Sequence, residues 1–171
     1  MDSENMKYAK LYFAAGLIFS AVLGTLSHFF YKWSGQNPVI ALVSPVNEST
    51  WEHMKLVFFP ILLWSFFLPP KVRAALRGWQ CSLLAGGLLG TWLVPVLFYT
   101  YSGILGRNLA LIDIGIFYTA VLAAFWTARK LRDSERAEKV CPFILFISAV
   151  MLLAFFLFTF APPDIGLFAE P

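Results

Sequence analysis

The stretch Ser44-Pro-Val-Asn-Glu-Ser-Thr-Trp-Glu-His-Met-Lys-Leu-Val-Phe-Phe59 carries the most unusual pattern in this chain. Two carboxylates, an imidazole and an ammonium lead directly into an apolar run. Elsewhere most polar side chains lie in short segments between apolar runs. Ionisable groups that enter a membrane span are costly unless they are paired or solvated, and they mark functional sites. The chemistry of the protein is therefore to be sought at Glu48, Glu52, His53 and Lys55.

The composition around this stretch is that of a membrane protein. The 171 residues are 59% hydrophobic, with 18 Phe and 6 Trp against 13 basic and 10 acidic side chains. A soluble domain of this size cannot hide so much apolar surface. Apolar segments of about 20 residues match the hydrocarbon thickness of a bilayer, and several occur here in series. We predict one all-α, polytopic helical membrane domain over residues 1–171, without a separate soluble domain.

The apolar runs predict about five transmembrane helices, at residues 8–31, 45–68, 79–101, 108–127 and 142–160. The core of the second run is short for a span, so its helix is expected to begin with Ser44 as N-cap and Pro45 at the first helical position. Glu48 and Glu52 then lie on its first two turns. Residues 39–43 are too short to span, and form either a re-entrant or interfacial turn over the site or a loop packed on the helices.

Glycines in the third apolar run and the two cysteines predict how the helices pack and whether a disulfide forms. Gly86, Gly87 and Gly90 in the third run are small residues that let helices approach closely. Cys81 and Cys141 lie beside the basic loops that the charge pattern assigns to the cytoplasm, where disulfides are rare. We therefore expect two unpaired cysteines that serve as small apolar packing residues.

The basic residues predict how the chain is oriented. They cluster in two connections on one side of the predicted bundle, at Lys71, Arg73, Arg77, Arg129, Lys130, Arg132, Arg136 and Lys139. The positive-inside rule makes this side cytoplasmic, with the N-terminus inside and the C-terminus outside. The net charge of +3 then reflects orientation, and no nucleic-acid partner is expected. The stretch from Ser44 to Lys55 lies on the outer side.

With this topology, polar residues from several spans reach a similar depth near the outer surface. We predict that they line an outward-facing polar pocket, over which Asp164 and Glu170 of the C-terminal tail can fold. Asp113 is the strongest isolated signal, because it lies more than one turn inside an apolar span. Its structural alternative is a bond to Asn108, Tyr118 or another helix. The predicted ligand-binding residues are Glu48, Glu52, Asp113, His28, His53, Asn47 and Trp51, and Tyr99 and Tyr101 reach the same depth.

Helical geometry divides the polar residues of the second span. At about 100° per residue, Glu48, Glu52 and Lys55 share one stripe with Trp51, whereas His53 is turned away from Glu52. The two carboxylates are therefore expected to act together, and His53 need not join them. The structural alternative is an i,i+3 ion pair of Glu52 with Lys55 at a wet interface, worth a few tenths of a kcal/mol. For His28 and Trp51 the alternatives are an interfacial aromatic belt and packing.

The same residues leave metal binding open. Histidine and paired carboxylates are good ligands for Zn, Mn or Fe, and an incomplete protein shell leaves a position for water. The spacing Glu-x-x-x-Glu-His is neither His-Glu-x-x-His nor the Glu-x-x-His of di-iron bundles. A metal site would need His28 or Asp113 from another helix. The alternative to a metal site is a hydrogen-bonded polar cluster, and the sequence names no cofactor.

Three segments carry a resemblance to a known family. They are His28-Phe-Phe-Tyr-Lys-Trp-Ser-Gly35, the stretch Pro45 to Pro60 with its Asn-Glu-Ser-x-Trp-Glu-His string, and the tail Pro-Pro-Asp-Ile-Gly-Leu-Phe-x-x-Pro. Together they resemble a family of small bacterial multi-span proteins of unknown function. The resemblance implies a bacterial cytoplasmic (inner) membrane and a shared architecture. It implies no catalytic residues.

Three functions remain in competition. The first, which we prefer, is binding or transport of a small cation, proton or amine-containing ligand in the outward pocket, with dimerisation to complete a pathway. The second is a metal-dependent membrane hydrolase that acts on a lipid-like substrate. The third is a subunit of a membrane assembly, in which Gly86, Gly87 and Gly90 pack on a partner. The expected partners are membrane lipid, an ion or small-molecule ligand and a second copy of the chain.

Overall fold

A computed structural model describes residues 3–67, 69–70 and 78–170 of the chain, with side chains from residue 7 onward. Within these residues the structure is all-helical and contains no strand. The helices are α1 Ser3–Trp33, α2 Pro38–Ala41, α3 Thr50–Phe66, α4 Trp79–Leu105, α5 Ala110–Leu131, α6 Glu135–Lys139 and α7 Cys141–Phe160, followed by a 3-10 turn at Gly166–Phe168.

Four of these helices are long and apolar enough to cross a membrane: α1 from Lys7 onward, α4, α5 and α7. This agrees with a multi-pass helical membrane protein. The predicted count of five spans is not confirmed, because α3 has only 17 residues. At about 1.5 Å per residue α3 is about 26 Å long, and the hydrocarbon core of a bilayer is about 30 Å thick.

Helix α3 forms the centre of the bundle. Met54, Val57 and Ile61 are almost completely buried, and the helix packs against α1, α4, α5 and the 3-10 turn, with Phe58 and Phe59 contacting Phe155 of α7. A helix that is hydrophobic on all sides is stable when other helices surround it. The first turns of α3 thus present their polar side chains to neighbouring elements.

The start of α3 differs from the predicted one. The helix begins at Thr50, and the N-cap is Ser49, whose hydroxyl accepts the backbone N–H of Glu52. Ser44 instead lies buried in the preceding loop, where its hydroxyl donates to the backbone carbonyl of Ser27. The prediction of Ser44 as the cap was therefore wrong, because Ser49 and Glu52 have the spacing of a capping signal five residues further on. Glu48 consequently lies in the loop before α3.

The connection between α1 and α3 is packed on the helices. Asn37 caps the short helix α2, its side-chain oxygen accepting the backbone N–H of Val39 at 2.9 Å. Ala41 at the end of α2 is buried, and its carbonyl accepts a hydrogen bond from the Lys55 ammonium, also at 2.9 Å. These contacts fit the packed-loop alternative for residues 39–43, and the interfacial alternative stays a prediction because Val39 and Val43 are exposed.

Close helix contacts at the glycines of α4 are confirmed. A Cβ added at Gly86 would lie 2.1 Å from the Ala124 carbonyl oxygen of α5, and one at Gly90 would lie 2.6 Å from that of Ala120. A Cβ at Gly87 would meet the Ile61 side chain of α3 at 2.9 Å. These glycines allow α4 to contact α5 and α3 of the same chain.

The expectation of unpaired cysteines was wrong, because Cys81 and Cys141 are paired in a disulfide. Their Cα atoms are 5.4 Å apart, within the usual range of about 4.4–6.8 Å for bridged cysteines. The sequence argument considered only the redox compartment that the charge pattern suggests. It did not anticipate that the first turns of α4 and α7 lie side by side.

The helix directions give the bundle two distinct ends. At one end, which we call the "site end", α1, α4 and α7 finish and α3 and α5 begin. At the other, which we call the "far end", α4 and α7 begin and are joined by the disulfide. Lys7, Lys10 and the basic residues between 129 and 139 belong to the far end, as the predicted clustering requires. Lys71, Arg73 and Arg77, and the predicted end of the second span at residue 68, lie outside the described residues. The orientation in a membrane stays a prediction.

Candidate metal site beside an apolar cavity

Three potential metal ligands from different elements meet at the site end. The Nε2 atom of His28 in α1 lies 3.7 Å from one carboxylate oxygen of Glu48, and the Nε2 atom of His53 in α3 lies 3.4 Å from the other. One ligand atom from each residue can be chosen so that all three lie within 4.8 Å of one another. We call His28, Glu48 and His53 the "His–Glu–His cluster".

The loop that carries Glu48 is held on both sides of that residue. Before it, the bond from Ser44 to the Ser27 carbonyl ties the loop to α1 next to His28. After it, the Asn47 side-chain oxygen accepts the backbone N–H of Ser49 at 3.0 Å. Asn47, a predicted ligand-binding residue, thus shapes the turn. The Glu48 side chain itself is 65% exposed, so it remains free to adjust toward a ligand.

The hydrogen bond of His53 fixes which ring nitrogen faces the cluster. Its Nδ1 atom lies 2.9 Å from the Ser49 carbonyl oxygen, and a carbonyl can only accept, so Nδ1 carries the proton. In a neutral ring, Nε2 then presents a lone pair toward Glu48. The separations of 3.4 and 3.7 Å exceed those of a direct hydrogen bond. The Nε2 lone pair of His53 and the Glu48 carboxylate are both electron-rich and repel each other. A proton or a cation between them removes this repulsion.

The spacing of the cluster fits a transition-metal ion. Zinc binds imidazole nitrogen and carboxylate oxygen at about 2.0–2.2 Å, which separates tetrahedral ligand atoms by about 3.3 Å. Only small side-chain movements bring the cluster to this spacing. Two histidines and one carboxylate form a common ligand set of catalytic zinc sites, which keep a further position for water or substrate. The bond from His53 Nδ1 to a backbone carbonyl is the outer-shell contact that orients such a ligand.

The cluster borders a cavity of about 790 Å³ that lies between α1, α3, α4 and α5. This volume falls within the range of about 300–1,000 Å³ that is usual for small-molecule sites. Apart from the cluster, its polar lining comprises Thr25, Thr50, Asn108, Asp113 and Tyr118, and its apolar lining comprises Phe29, Leu56, Val94, Phe98, Ala110, Ile114, Ile116 and Phe117.

Asp113 is oriented by a tyrosine of the neighbouring helix. The Tyr101 hydroxyl at the end of α4 donates to a carboxylate oxygen of Asp113 in α5 and accepts the backbone N–H of Leu109 at 3.0 Å. Asp113 therefore has the helix-to-helix bond that was its structural alternative, and it also lines the cavity of the cluster. The structure brings Asp113, His28, Glu48 and His53 to one place.

Glu52 and Lys55 form a separate, closed group. The Lys55 ammonium is fully buried and donates to a Glu52 carboxylate oxygen at 2.6 Å, to Thr159 Oγ1 of α7 at 2.6 Å and to the carbonyl of Ala41. The same Glu52 oxygen accepts the backbone N–H of Val46 at 3.0 Å. The i,i+3 pair is confirmed, but a wet interface was wrong. Glu48 lies before the helix and faces His28 and His53, whereas Glu52 pairs with Lys55, so the two carboxylates have different partners.

Trp51 and the C-terminal tail lie on another side of α3 from the cavity. The Trp51 ring is buried and contacts the rings of Phe155 and Phe168, and Tyr99 donates to the Gly166 carbonyl at 2.8 Å. Trp51 is thus a packing residue. Asp164 and Glu170 are not among the residues that line the cavity.

Ser49 is the residue that sequence reasoning missed. Its side chain caps α3, and its backbone carbonyl accepts a hydrogen bond from His53 Nδ1. Ser49 therefore sets both the start of the helix and the orientation of the imidazole. The Ser-x-x-Glu spacing from Ser49 to Glu52 was the signal that could have found it.

Comparisons with known proteins identify a family of unknown function and add no activity. No curated protein and no solved structure matches the chain significantly. A family model matches residues 1–171, which is the whole sequence, and it is described as a family of unknown function. The chain therefore belongs to the DUF6512 family.

Proposed function

We propose that this protein is a metal-dependent membrane hydrolase that binds a divalent transition-metal ion, such as Zn²⁺, through His28, Glu48 and His53. One observation carries the proposal: three ligand atoms from α1, the Ser44–Ser49 loop and α3 lie within 4.8 Å of one another at the edge of a large cavity. His28, Glu48 and His53 would hold the ion, and a four-coordinate ion held by three residues would have one position left for water.

The donor set suits this chemistry. A zinc ion held by two imidazoles and a carboxylate makes a bound water nucleophilic near neutral pH and polarises a carbonyl or phosphoryl oxygen. Hydrolysis adds that water across an ester or phosphoester bond and needs no electron donor or acceptor. Asp113, on the wall of the same cavity, is a carboxylate that can accept a proton from the water.

A transport pathway has less support. Among the described residues, the only buried carboxylate or ammonium groups are Glu52 and Lys55, and they are paired near the site end. Toward the far end, the buried side chains among residues 7–67 and 78–170 are apolar, aromatic or hydroxyl-bearing. An ion that crossed the bilayer would need further polar groups along its path. The assembly-subunit alternative loses its proposed interface, because Gly86, Gly87 and Gly90 contact α5 and α3 of the same chain.

The location of the proposed enzyme follows from charge. The basic residues at the far end favour the cytoplasmic face of a bacterial inner membrane. The Cys81–Cys141 disulfide lies at the same end and by itself favours an oxidising compartment, so the orientation rests on the charge pattern alone. The His–Glu–His cluster then faces the outer side, where its substrate is hydrolysed.

Elemental analysis tests the proposal. The full chain is purified in detergent, stripped with a chelator, reloaded with Zn²⁺ and freed of excess ion, beside the variants His28→Ala, Glu48→Ala and His53→Ala. We expect near-stoichiometric zinc in the wild type. Loss of an outer-shell partner typically weakens metal binding about 10–100-fold, so loss of a direct ligand should cost more than about 100-fold in affinity.

An exposed carboxylate outside the cluster provides the control. Asp164→Asn removes one negative charge from the tail and should leave the zinc content unchanged. Zinc affinity should also fall as the pH is lowered, since protons compete for the imidazole nitrogens. Equal zinc content in wild type and all three cluster variants, or no zinc in any of them, would overturn the proposal.

A further inference from the structure

We propose that the cavity beside the cluster binds one hydrocarbon chain of a membrane lipid, which enters sideways between α1 and α5. This inference rests on the proposed function, because it assigns the substrate of the same site. The polar part of the lipid, with its ester or phosphoester bond, then lies at the His–Glu–His cluster.

The exposure of the lining residues shows where the cavity opens. Phe29 of α1 and Ile114 and Tyr118 of α5 line the cavity and are also exposed on the outer surface. By contrast, the lining residues Leu56 of α3 and Val94 of α4 are buried. The cavity therefore reaches the surface along the seam between α1 and α5, and the buried residues Leu56, Val94 and Ile116 form its inner wall.

The surface on both sides of this seam is apolar. Val22 and Leu26 of α1 and Leu111 and Leu122 of α5 are exposed hydrophobic residues on helices long enough to cross a membrane. Such faces contact lipid chains in a bilayer. A lipid chain can pass from this surface into the cavity without crossing water, whereas a polar solute would meet hydrocarbon at the seam.

The seam is bridged by a contact that leaves it easy to open. The hydroxyls of Thr25 in α1 and Tyr118 in α5 lie 3.2 Å apart, and both residues are exposed. A single exposed hydrogen bond between neutral groups contributes only about 1 kcal/mol. Separation of these two side chains widens the entrance, while Phe117 of α5 stays packed against Gly24 of α1 beside it.

The polar lining of the cavity lies at the site end and the apolar lining lies deeper, which matches a lipid with a polar group at one end and a hydrocarbon chain at the other. The His–Glu–His cluster and Asn108 lie where the helices end or begin at the site end. The apolar residues Leu56, Val94 and Ile116 lie further along their helices toward the far end. A lipid thus meets the proposed metal with its ester group and places its chain among these residues.

Photo-crosslinking tests the inference. The full chain is reconstituted in phosphatidylethanolamine and phosphatidylglycerol vesicles that contain phosphatidylcholine with a diazirine on one acyl chain. After illumination, mass spectrometry maps the adducts. We expect adducts on the inner wall, at Leu56, Val94 and Ile116, which a lipid outside the bundle cannot reach.

Two tryptophan variants provide a matched pair. Ile114→Trp enlarges a side chain of α5 that is 54% exposed and lines the cavity, so it should reduce the inner-wall adducts severalfold. Leu153→Trp enlarges a side chain of α7 that is 64% exposed and lies outside the lining, so it should leave them unchanged. Adducts confined to outward-facing residues such as Leu122, or equal inner-wall labelling in both variants, would overturn the inference.

The zinc content of the same preparations separates the two proposals. Zinc without inner-wall adducts would refute lipid entry and leave the metal site standing. Inner-wall adducts without zinc would support lipid entry and refute the metal-dependent hydrolase. The Ile114→Trp variant should retain zinc, because Ile114 is not a ligand.

Discussion

Neighbouring residues of α3, Glu52 and His53, belong to two polar groups of opposite character. The Glu52–Lys55 pair is closed: each proton of the Lys55 ammonium has an acceptor, and the ammonium is fully buried. The His–Glu–His cluster is open: its charged and basic atoms are 3.4 and 3.7 Å apart, and it borders a cavity. The closed group holds α2, α3 and α7 together, whereas the open group leaves donor atoms available.

The difference indicates which polar residues of a membrane bundle are available for chemistry. Buried polar groups in a low dielectric are stable when every hydrogen-bonding atom has a partner. The Lys55 ammonium, with an acceptor for each of its three protons, has no donor left for a ligand. In the His–Glu–His cluster, the imidazole Nε2 atoms and the carboxylate oxygens lie beyond hydrogen-bond distance and can still bind a ligand. Substitutions in the two groups should therefore have opposite signatures in stability and in metal binding.

The largest loss of stability is expected for Lys55→Met. It leaves the Glu52 carboxylate buried without its cation, a change that costs about 3–5 kcal/mol in the free energy of unfolding. Denaturant titration of the purified protein in detergent measures this loss.

The double variant Glu52→Leu/Lys55→Met provides the control. Replacing both charges with apolar groups removes the unpaired charge, so the double variant should be more stable than Lys55→Met. A loss below about 1 kcal/mol for Lys55→Met would show that the pair is not closed.

A smaller loss of stability is expected when a glycine at a close helix contact is replaced. Gly86→Ala places a methyl group against the Ala124 carbonyl at a site where a Cβ would lie 2.1 Å away, and it should cost about 1–3 kcal/mol. Gly103→Ala in the same helix meets nothing within 4 Å, so it should be neutral or stabilising by up to about 1 kcal/mol. Equal stability of the two variants in the same titration would contradict the close α4–α5 contact.

An intermediate effect is expected for Tyr101→Phe. The variant removes the hydroxyl that donates to Asp113, and hydrogen bonds to charged groups contribute about 1.5–3 kcal/mol. The lower part of this range applies, because Asp113 lines a cavity in which water can replace the lost donor. Tyr99→Phe removes a bond to the neutral Gly166 carbonyl and should cost about 1 kcal/mol. A smaller loss for Tyr101→Phe than for Tyr99→Phe would argue against an oriented Asp113.

The smallest change in intrinsic stability is expected for Glu48→Gln. The side chain is 65% exposed, so the metal-free variant should lie within about 0.5 kcal/mol of the wild type. Zinc at 100 times its dissociation constant should stabilise the wild type by about 2.7 kcal/mol, and the variant by much less. Melting temperatures with and without zinc measure both effects. A metal-free loss of several kcal/mol would place Glu48 with the closed group.

The sequence located the polar stretch and three of the four membrane-length helices to within about four residues at each end. The close contacts of Gly86, Gly87 and Gly90 were also predicted, because small residues in an apolar run have one common use in membrane helices. These features depend on local composition and helical period, which a single sequence displays directly.

The pairing of the site residues was not predictable in the same way. Assigning Ser44 as the cap placed Glu48 on the helix and grouped it with Glu52, whereas the Ser49 cap releases Glu48 into a loop that turns toward His28 and His53. A shift of five residues in one helix start thus changes which acid meets which base. The Cys81–Cys141 bond depended on which helices are neighbours, and no local pattern carries that information.

Because the cavity opens at the seam between α1 and α5, the concentration of lipid substrate that matters is the one within the membrane. A cavity that fills from the side is supplied by two-dimensional diffusion within the bilayer, so the relevant quantity is the mole fraction of the lipid in the surrounding membrane. Added detergent dilutes that lipid even when its bulk concentration is constant. Turnover should therefore fall as micelles are added and recover when the protein is returned to vesicles.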